Sequence, residues 1–147
     1  RMKKQAGKRA KRSRRKPENS KEREKAKAMA TLKATMVIVG GAGSLRVAAD
    51  TRLIDTPAFP EEYKPTALGA QDALALLQAE SALNWTMLSP AAEIFPGERT
   101  GQFRLGQDDL LVDDQGNSRI SLQDYAVALL DEVDHPQHER QRFTLAY

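Results

Sequence analysis

Two short loops carry the residue types and spacings that could do chemistry, and each follows a run that predicts a β-strand. The first loop is Gly40-Gly41-Ala42-Gly43-Ser44, directly after the apolar run Met36 to Val39. Because glycine has no Cβ, such a loop lets the backbone approach a ligand closely. The order Gly-Gly-Ala-Gly-Ser-Leu differs from the Gly-x-Gly-x-x-Gly fingerprint, so the loop is not expected to hold a pyrophosphate. A tight turn without a ligand explains the spacing equally well, and the residues alone leave both interpretations open.

The second loop, Ser89-Pro90-Ala91-Ala92, follows the predicted strand Leu83 to Leu88. Proline removes a donor from the strand ladder, which ends the strand and leaves nearby backbone groups for a planar amide ligand. Open α/β sheets bind ligands outside the carboxyl ends of their strands, so both loops are expected to line one crevice. A strand end that binds nothing is the alternative here as well. The candidate ligand-binding residues are Gly40, Gly41, Ala42, Gly43, Ser44, Ser89, Pro90, Ala91 and Ala92.

Other polar groups in the sequence do not form a catalytic or metal-binding pattern. A tyrosine can donate a proton when a lysine four residues later lowers its pKa, but Tyr63 is followed four residues later by Ala67, and Lys64 is adjacent. We therefore interpret Tyr63 and Lys64 as surface residues. His135 and His138 lack a third metal ligand and are expected to be solvated after a helix end. Four aspartates are interpreted as turn residues: Asp108, Asp109, Asp113 and Asp114.

The absent residue types narrow the possible functions. The chain has no cysteine, which excludes disulfides, thiolate nucleophiles and Cys-ligated zinc and favours a cytoplasmic setting. Redox chemistry would then require a bound cofactor. No apolar run approaches the roughly 20 residues of a membrane span, and the start lacks the apolar region of a secretory signal.

The charge of the chain is divided between two parts. Residues 1 to 36 hold fifteen Lys and Arg against three Glu, a net charge of +12, whereas the remaining residues hold eight against seventeen, a net charge of −9. The basic part has few large apolar side chains, so we expect it to be disordered or partly helical. It could attract anionic partners such as nucleic acid, although no aromatic residue is present there to stack on bases. We divide the chain into a basic segment, residues 1–35, and one folded domain, residues 36–147.

The elements that must position the two loops alternate between strand and helix, which favours an α/β sheet with parallel members. Ser121 and Asp124 resemble a capping box that opens the second helix. The prediction comprises strands 36–39 and 83–88, a helix over 66–79, short strands over 102–105 and 110–112, a loop over 113–117, a helix from 121 to about 133, and a strand over 142–147.

From Val37 onward the chain resembles the second half of the atypical short-chain dehydrogenase/reductases, a group of NAD(P)H-binding proteins that includes flavin reductase-like and biliverdin reductase B-like enzymes. Five blocks in the same order carry the resemblance. They are Val37 to Leu45, Asp55-Thr56-Pro57 with Tyr63-Lys64-Pro65, Leu83 to Ala91, Gly116 to Ser121 with Asp124-Tyr125-Ala126, and Arg142-Phe143-Thr144.

The resemblance implies a fold, a cofactor and a reaction. The fold is a partial Rossmann-like domain, a doubly wound parallel sheet that lacks the usual N-terminal Gly-rich βαβ unit, and the two loops would border the nicotinamide half of NADP or NAD. The reaction would be hydride transfer to a flavin or similar conjugated acceptor, which needs no dedicated acid or base. With the pyrophosphate-binding part absent, the chain alone is expected to bind NADPH weakly or not at all unless another chain, such as a second copy, completes the sheet. The alternative is a non-enzymatic Rossmann-like interaction module whose basic tail binds anionic partners.

Overall fold

The computed structural model describes Lys21, Glu24 and residues 35–147. Backbone contacts divide the chain into two units, residues 1–33 and residues 34–147. The predicted character of the basic segment falls almost entirely outside the described residues and stays a prediction. The elements of the second unit are β1 Thr35–Val39, β2 Arg46–Ala48, β3 Thr51–Arg52, α1 Lys64–Ala79, β4 Asn84–Ser89, β5 Glu93–Phe95, β6 Arg104–Gly106, β7 Arg119–Ser121, α2 Leu122–Asp134 and β8 Gln141–Ala146.

A four-stranded sheet in the order β1-β4-β8-β6 forms the centre of this unit. The strands β1, β4 and β8 run parallel, whereas β6 pairs antiparallel with β8. Every residue of β4 from Trp85 to Ser89 is buried, because this strand has a neighbour on each side and a helix on each face. Continuous burial of this kind is typical of inner strands in parallel sheets.

The two helices cover opposite faces of the sheet. Leu74 of α1 packs with Trp85 and Met87, whereas Ala128 of α2 packs in a second cluster with Leu88. Since successive strand residues point to opposite faces, Met87 and Leu88 mark the two sides of one strand. The predicted α/β, Rossmann-like, doubly wound arrangement is therefore confirmed for the described domain.

Side-chain hydrogen bonds fix the start of α2. The Ser121 Oγ accepts a hydrogen bond from the Asp124 backbone N–H at 3.0 Å, which confirms the predicted N-cap. The reciprocal half of the capping box does not form. The Asp124 carboxylate instead accepts hydrogen bonds from the Thr100 and Gly101 backbone N–H groups and ties the preceding loop to the helix.

One predicted strand is absent, and two short strand pairs were not predicted. The segment 110–112 is not a strand, because next to it Asp109 forms only a single bridge with Arg46 of β2, and the Leu110 N–H donates to the Arg46 carbonyl. The sequence also did not indicate the antiparallel pair β2-β3 or the parallel pair β5-β7, whose strands are three residues long or shorter.

No helix in the described part of the chain has the length and apolar character that a membrane span requires.

Candidate functional site

The two candidate loops leave the sheet side by side. Strands β1 and β4 are neighbours and parallel, and Val39 pairs in register with Leu88 at their carboxyl ends. The Gly40 backbone N–H donates to the Leu88 carbonyl at 2.9 Å, which joins the base of the first loop to the end of the second strand. The structure thus places both loops at one edge of the sheet, as the sequence predicted.

A cleft of about 660 Å³ opens between these loops. Its third side is the segment from Leu53 to Tyr63, which holds two short 3-10 helices, and its fourth is the first part of α1. No Lys, Arg, Asp or Glu lines it in the described part of the chain, so the cleft favours uncharged ligand groups. The lining residues are Val39, Gly40, Gly41, Ala42, Gly43, Leu53, Thr56, Ala58, Phe59, Pro60, Tyr63, Thr66, Ala67, Ala70, Pro90, Ala91, Ala92 and Ile94.

Seven of the nine predicted residues line the cleft, and the two serines do not. The Ser44 Oγ accepts a hydrogen bond from the Arg142 Nη1 at 2.6 Å, so it links the first loop to β8. The Ser89 side chain is fully buried, and its Oγ has no hydrogen-bond partner among the described residues. A Cβ added to Gly40 would lie 3.2 Å from this oxygen, which places Ser89 just behind the loop.

The glycines of the first loop are explained by contacts within the protein. A Cβ on Gly40 would come within 2.7 Å of the Met87 Cγ, and a Cβ on Gly43 within 2.9 Å of the Ala67 Cβ. Glycine therefore lets this loop pack directly on β4 and α1. The sequence had assigned the same feature to approach by a ligand, and the structure adds this internal reason.

Each loop has a residue at the cleft whose backbone groups make no hydrogen bond within the described residues. Gly41 and Ala91 line the cleft and make no hydrogen bond in the part of the chain that the structure describes. By contrast, the Ala92 N–H donates to the Ser118 Oγ at 3.1 Å, and this bond holds the second loop against β7. Gly41 thus offers a backbone donor and acceptor, which suits a carboxamide, whereas Ala91 is only 2% exposed.

Two tyrosines lie near the cleft in different surroundings. Tyr63 lines it and stays 59% exposed. The Lys64 Nζ pairs with the Glu61 carboxylate, so Tyr63 and Lys64 do not form a proton-donating pair. The Tyr125 hydroxyl donates to the Leu88 carbonyl at 2.6 Å. Burial raises the pKa of Tyr125 well above its usual value, so its phenol stays protonated and serves as a structural donor.

The segment from Leu53 to Tyr63 is the part of the site that sequence reasoning missed. Arg52 anchors it by donating twice to the Asp55 carboxylate, at 2.7 and 2.9 Å, and once to Gln71 of α1. The hydrogen bond from Arg52 holds the pKa of Asp55 below its usual range. In the sequence, Pro57 and Pro60 predict irregular structure for this segment, and nothing in that pattern indicates that Phe59 faces the cleft.

The histidine region differs from its prediction in one respect. His138 is not solvated. Its ring stacks on Phe143 with centroids 4.0 Å apart, and its Nδ1 lies 2.8 Å from the Oε2 of the buried Glu132. Residues 35–147, Lys21 and Glu24 contain no group of three His, Cys, Asp or Glu placed to hold a metal ion.

The alternation of elements, the parallel sheet and the cleft at its carboxyl edge define a Rossmann-like fold. A short-chain dehydrogenase/reductase from Veillonella parvula, solved in complex with NADP, shares this fold with a TM-score of 0.53. The two sequences are 20% identical, and the similarity covers 76% of this chain and 49% of the other. At this identity it supports the fold alone.

More similar proteins include the uncharacterised YwnB of Bacillus subtilis, which is 50% identical over 113 residues, 75% of this chain and 53% of YwnB. The structure of a candidate exported protein from Burkholderia pseudomallei is 52% identical with a TM-score of 0.72, over 76% of this chain and 54% of that one. A candidate NADH-flavin reductase from Streptococcus pneumoniae is 41% identical with a TM-score of 0.73, over 82% and 59%. No protein-family model matches the chain. The chain thus spans about half the length of these relatives.

Proposed function

We propose that the cleft binds the nicotinamide half of NADPH or NADH and holds it beside a conjugated acceptor. The observation that carries this proposal is the meeting of two loops at the carboxyl ends of adjacent parallel strands, around an uncharged cleft. The similarity to a candidate NADH-flavin reductase supports the same class of reaction.

The cleft residues suit a nicotinamide ring. The free backbone groups of Gly41, at the carboxyl end of β1, would bind its carboxamide. When bound, the reduced nicotinamide supplies a hydride. The chain's own part is to position two flat partners and to exclude water, which the apolar lining favours.

The other half of the cofactor finds little support in the described residues. A pyrophosphate requires backbone N–H groups at a helix N-terminus or cationic side chains. Among the described residues, no cationic side chain lines the cleft, which α1 meets at Thr66, Ala67 and Ala70. We therefore expect the chain to bind the nicotinamide portion with little additional affinity from the phosphates and adenine.

Two fluorescent probes test this division. We expect NADPH and reduced nicotinamide mononucleotide to bind with dissociation constants within about tenfold of each other, a difference of about 1.4 kcal/mol. Ala92→Trp should weaken both by at least about tenfold by filling the cleft. Ala79→Trp, at an exposed position outside the cleft, is the matched control and should bind as the parent chain does.

Oxidation of either probe by FMN, followed by absorbance, tests the reaction. Activity that is present in Ala79→Trp and lost in Ala92→Trp would assign hydride transfer to the cleft. Tight binding of NADPH by the monomeric chain would contradict the expectation that the chain lacks a phosphate site. Undiminished binding by Ala92→Trp would contradict the site itself.

A further inference from the structure

The outer surface of α2 carries an apolar groove flanked by opposite charges. Six residues of the helix line it, at the spacing of a single helical face: Gln123, Ala126, Val127, Leu130, Asp131 and Asp134. Arg99 completes the lining, and the groove encloses about 440 Å³. Because the inner side of α2 already packs on the sheet through Tyr125 and Ala128, this groove belongs to its solvent side.

The solvent side of α2 exposes large apolar side chains where a surface helix normally carries polar ones. Leu122, Leu130 and Val133 are 47%, 62% and 53% exposed. With Ala126 they form a stripe at intervals of four, four and three residues, the repeat of one helical face. A helix that is apolar on both sides normally has a partner on each.

The charges stand at opposite ends of the groove. Arg99 lies at the N-terminal end of α2, because its neighbours Gly97 and Thr100 donate backbone hydrogen bonds to Gln123 and Asp124 at 2.9 Å each. Asp131 and Asp134 lie in the last turn of the helix. None of these three side chains forms an ion pair in the described part of the chain.

We propose that this groove is the contact surface of a symmetric dimer, with α2 of a second copy lying antiparallel in it. A two-fold axis perpendicular to α2 brings the stripe of each copy onto that of the other. The same rotation places Arg99 of each copy opposite Asp131 and Asp134 of its partner. Such a surface is self-complementary in both charge and apolar character, as a two-fold interface requires. The proposal does not depend on the cofactor site.

Sedimentation velocity of the full chain over a concentration series tests the dimer. We expect a reversible monomer–dimer equilibrium, and Leu130→Asp should raise its dissociation constant by at least about thirtyfold, since it buries a charge at the centre of the contact. The matched control is Leu76→Asp. Leu76 is 73% exposed on α1, and its replacement should leave the equilibrium unchanged.

Charge reversal distinguishes attraction between the two copies from a change in the fold of each copy. Arg99→Glu alone, or Asp131→Arg with Asp134→Arg, should each weaken the dimer by about tenfold or more through repulsion. The triple variant should restore it, because both ends are then reversed together.

Three results would overturn the proposal. The first is a chain that stays monomeric at high concentration. The second is a dimer that is unaffected by Leu130→Asp but lost in Met36→Lys, which would assign the contact to β1. Concentration-independent protection of the groove from hydrogen exchange would assign it to an intramolecular occupant.

Discussion

Asp124 shows how one carboxylate can join three parts of the domain. The residue is fully buried and accepts hydrogen bonds from the Thr100 hydroxyl and from the backbone N–H groups of Thr100 and Gly101, at 2.6 to 2.9 Å. The Tyr147 hydroxyl also donates to it, at 2.6 Å. Burial by itself would raise the pKa of Asp124, but these donors lower it to about 2. The ionised form is therefore the one that stabilises the fold.

Replacement of Asp124 by Asn should lower the free energy of unfolding by about 3 kcal/mol near neutral pH, because an amide cannot accept all of these bonds. The folded carboxyl has a lower pKa than its ordinary value of 3.8, so its contribution is complete above that value. It is lost as the pH falls towards 2. Urea unfolding across this range should show the difference between parent and variant shrink by about 2 kcal/mol. Asp72→Asn, at an exposed position, is the control, and a pH-independent difference would contradict the assignment.

The contact between the glycine loop and α1 predicts opposite effects for two Gly-to-Ala changes. Gly43→Ala places a Cβ 2.9 Å from the Ala67 Cβ, which cannot swing away, and should destabilise the domain by about 1 to 3 kcal/mol. Gly69 lies within α1 with no atom within 4 Å of an added Cβ. Gly69→Ala should therefore stabilise it by about 0.5 to 1 kcal/mol through helix propensity. Thermal unfolding of the two variants measures both, and equal shifts would refute the packing argument.

At the same scale, the sequence predicted the long elements and missed the short ones. Met36 to Val39, the helix ending at Ala79 and the cap at Ser121 carry strong local signals, and each lies within two residues of its predicted place. The positions of the two candidate loops could then be predicted, because the carboxyl ends of parallel strands lie at the same edge of a sheet. The wall from Leu53 to Tyr63 had no such signal, since its position depends on distant bonds such as that from Arg52 to Gln71.

At the scale of the whole molecule, β1 is an edge strand of the four-stranded sheet in the described part of the chain. Among the described residues it pairs with β4 on one side only. An open edge strand can pair with another chain, and charged residues suppress such pairing. Met36 is 46% exposed on this strand. Met36→Lys should lower the light scattering from assemblies larger than the dimer formed through α2, while changing the free energy of unfolding by less than about 0.5 kcal/mol. Unchanged scattering would show that these larger assemblies form through another surface.

The placement of Trp85, the one tryptophan of the chain, gives each side of the sheet its own optical signal. Its indole lies in the cluster beneath α1, whereas two of the three tyrosines, Tyr125 and Tyr147, lie in the cluster beneath α2. The third, Tyr63, is already 59% exposed in the folded domain and changes its surroundings little on unfolding. Heating a domain that melts as a single cooperative unit changes both chromophores at one midpoint. If the side covered by α1 loosens first, indole emission shifts to the red while the tyrosine absorbance still has its folded value.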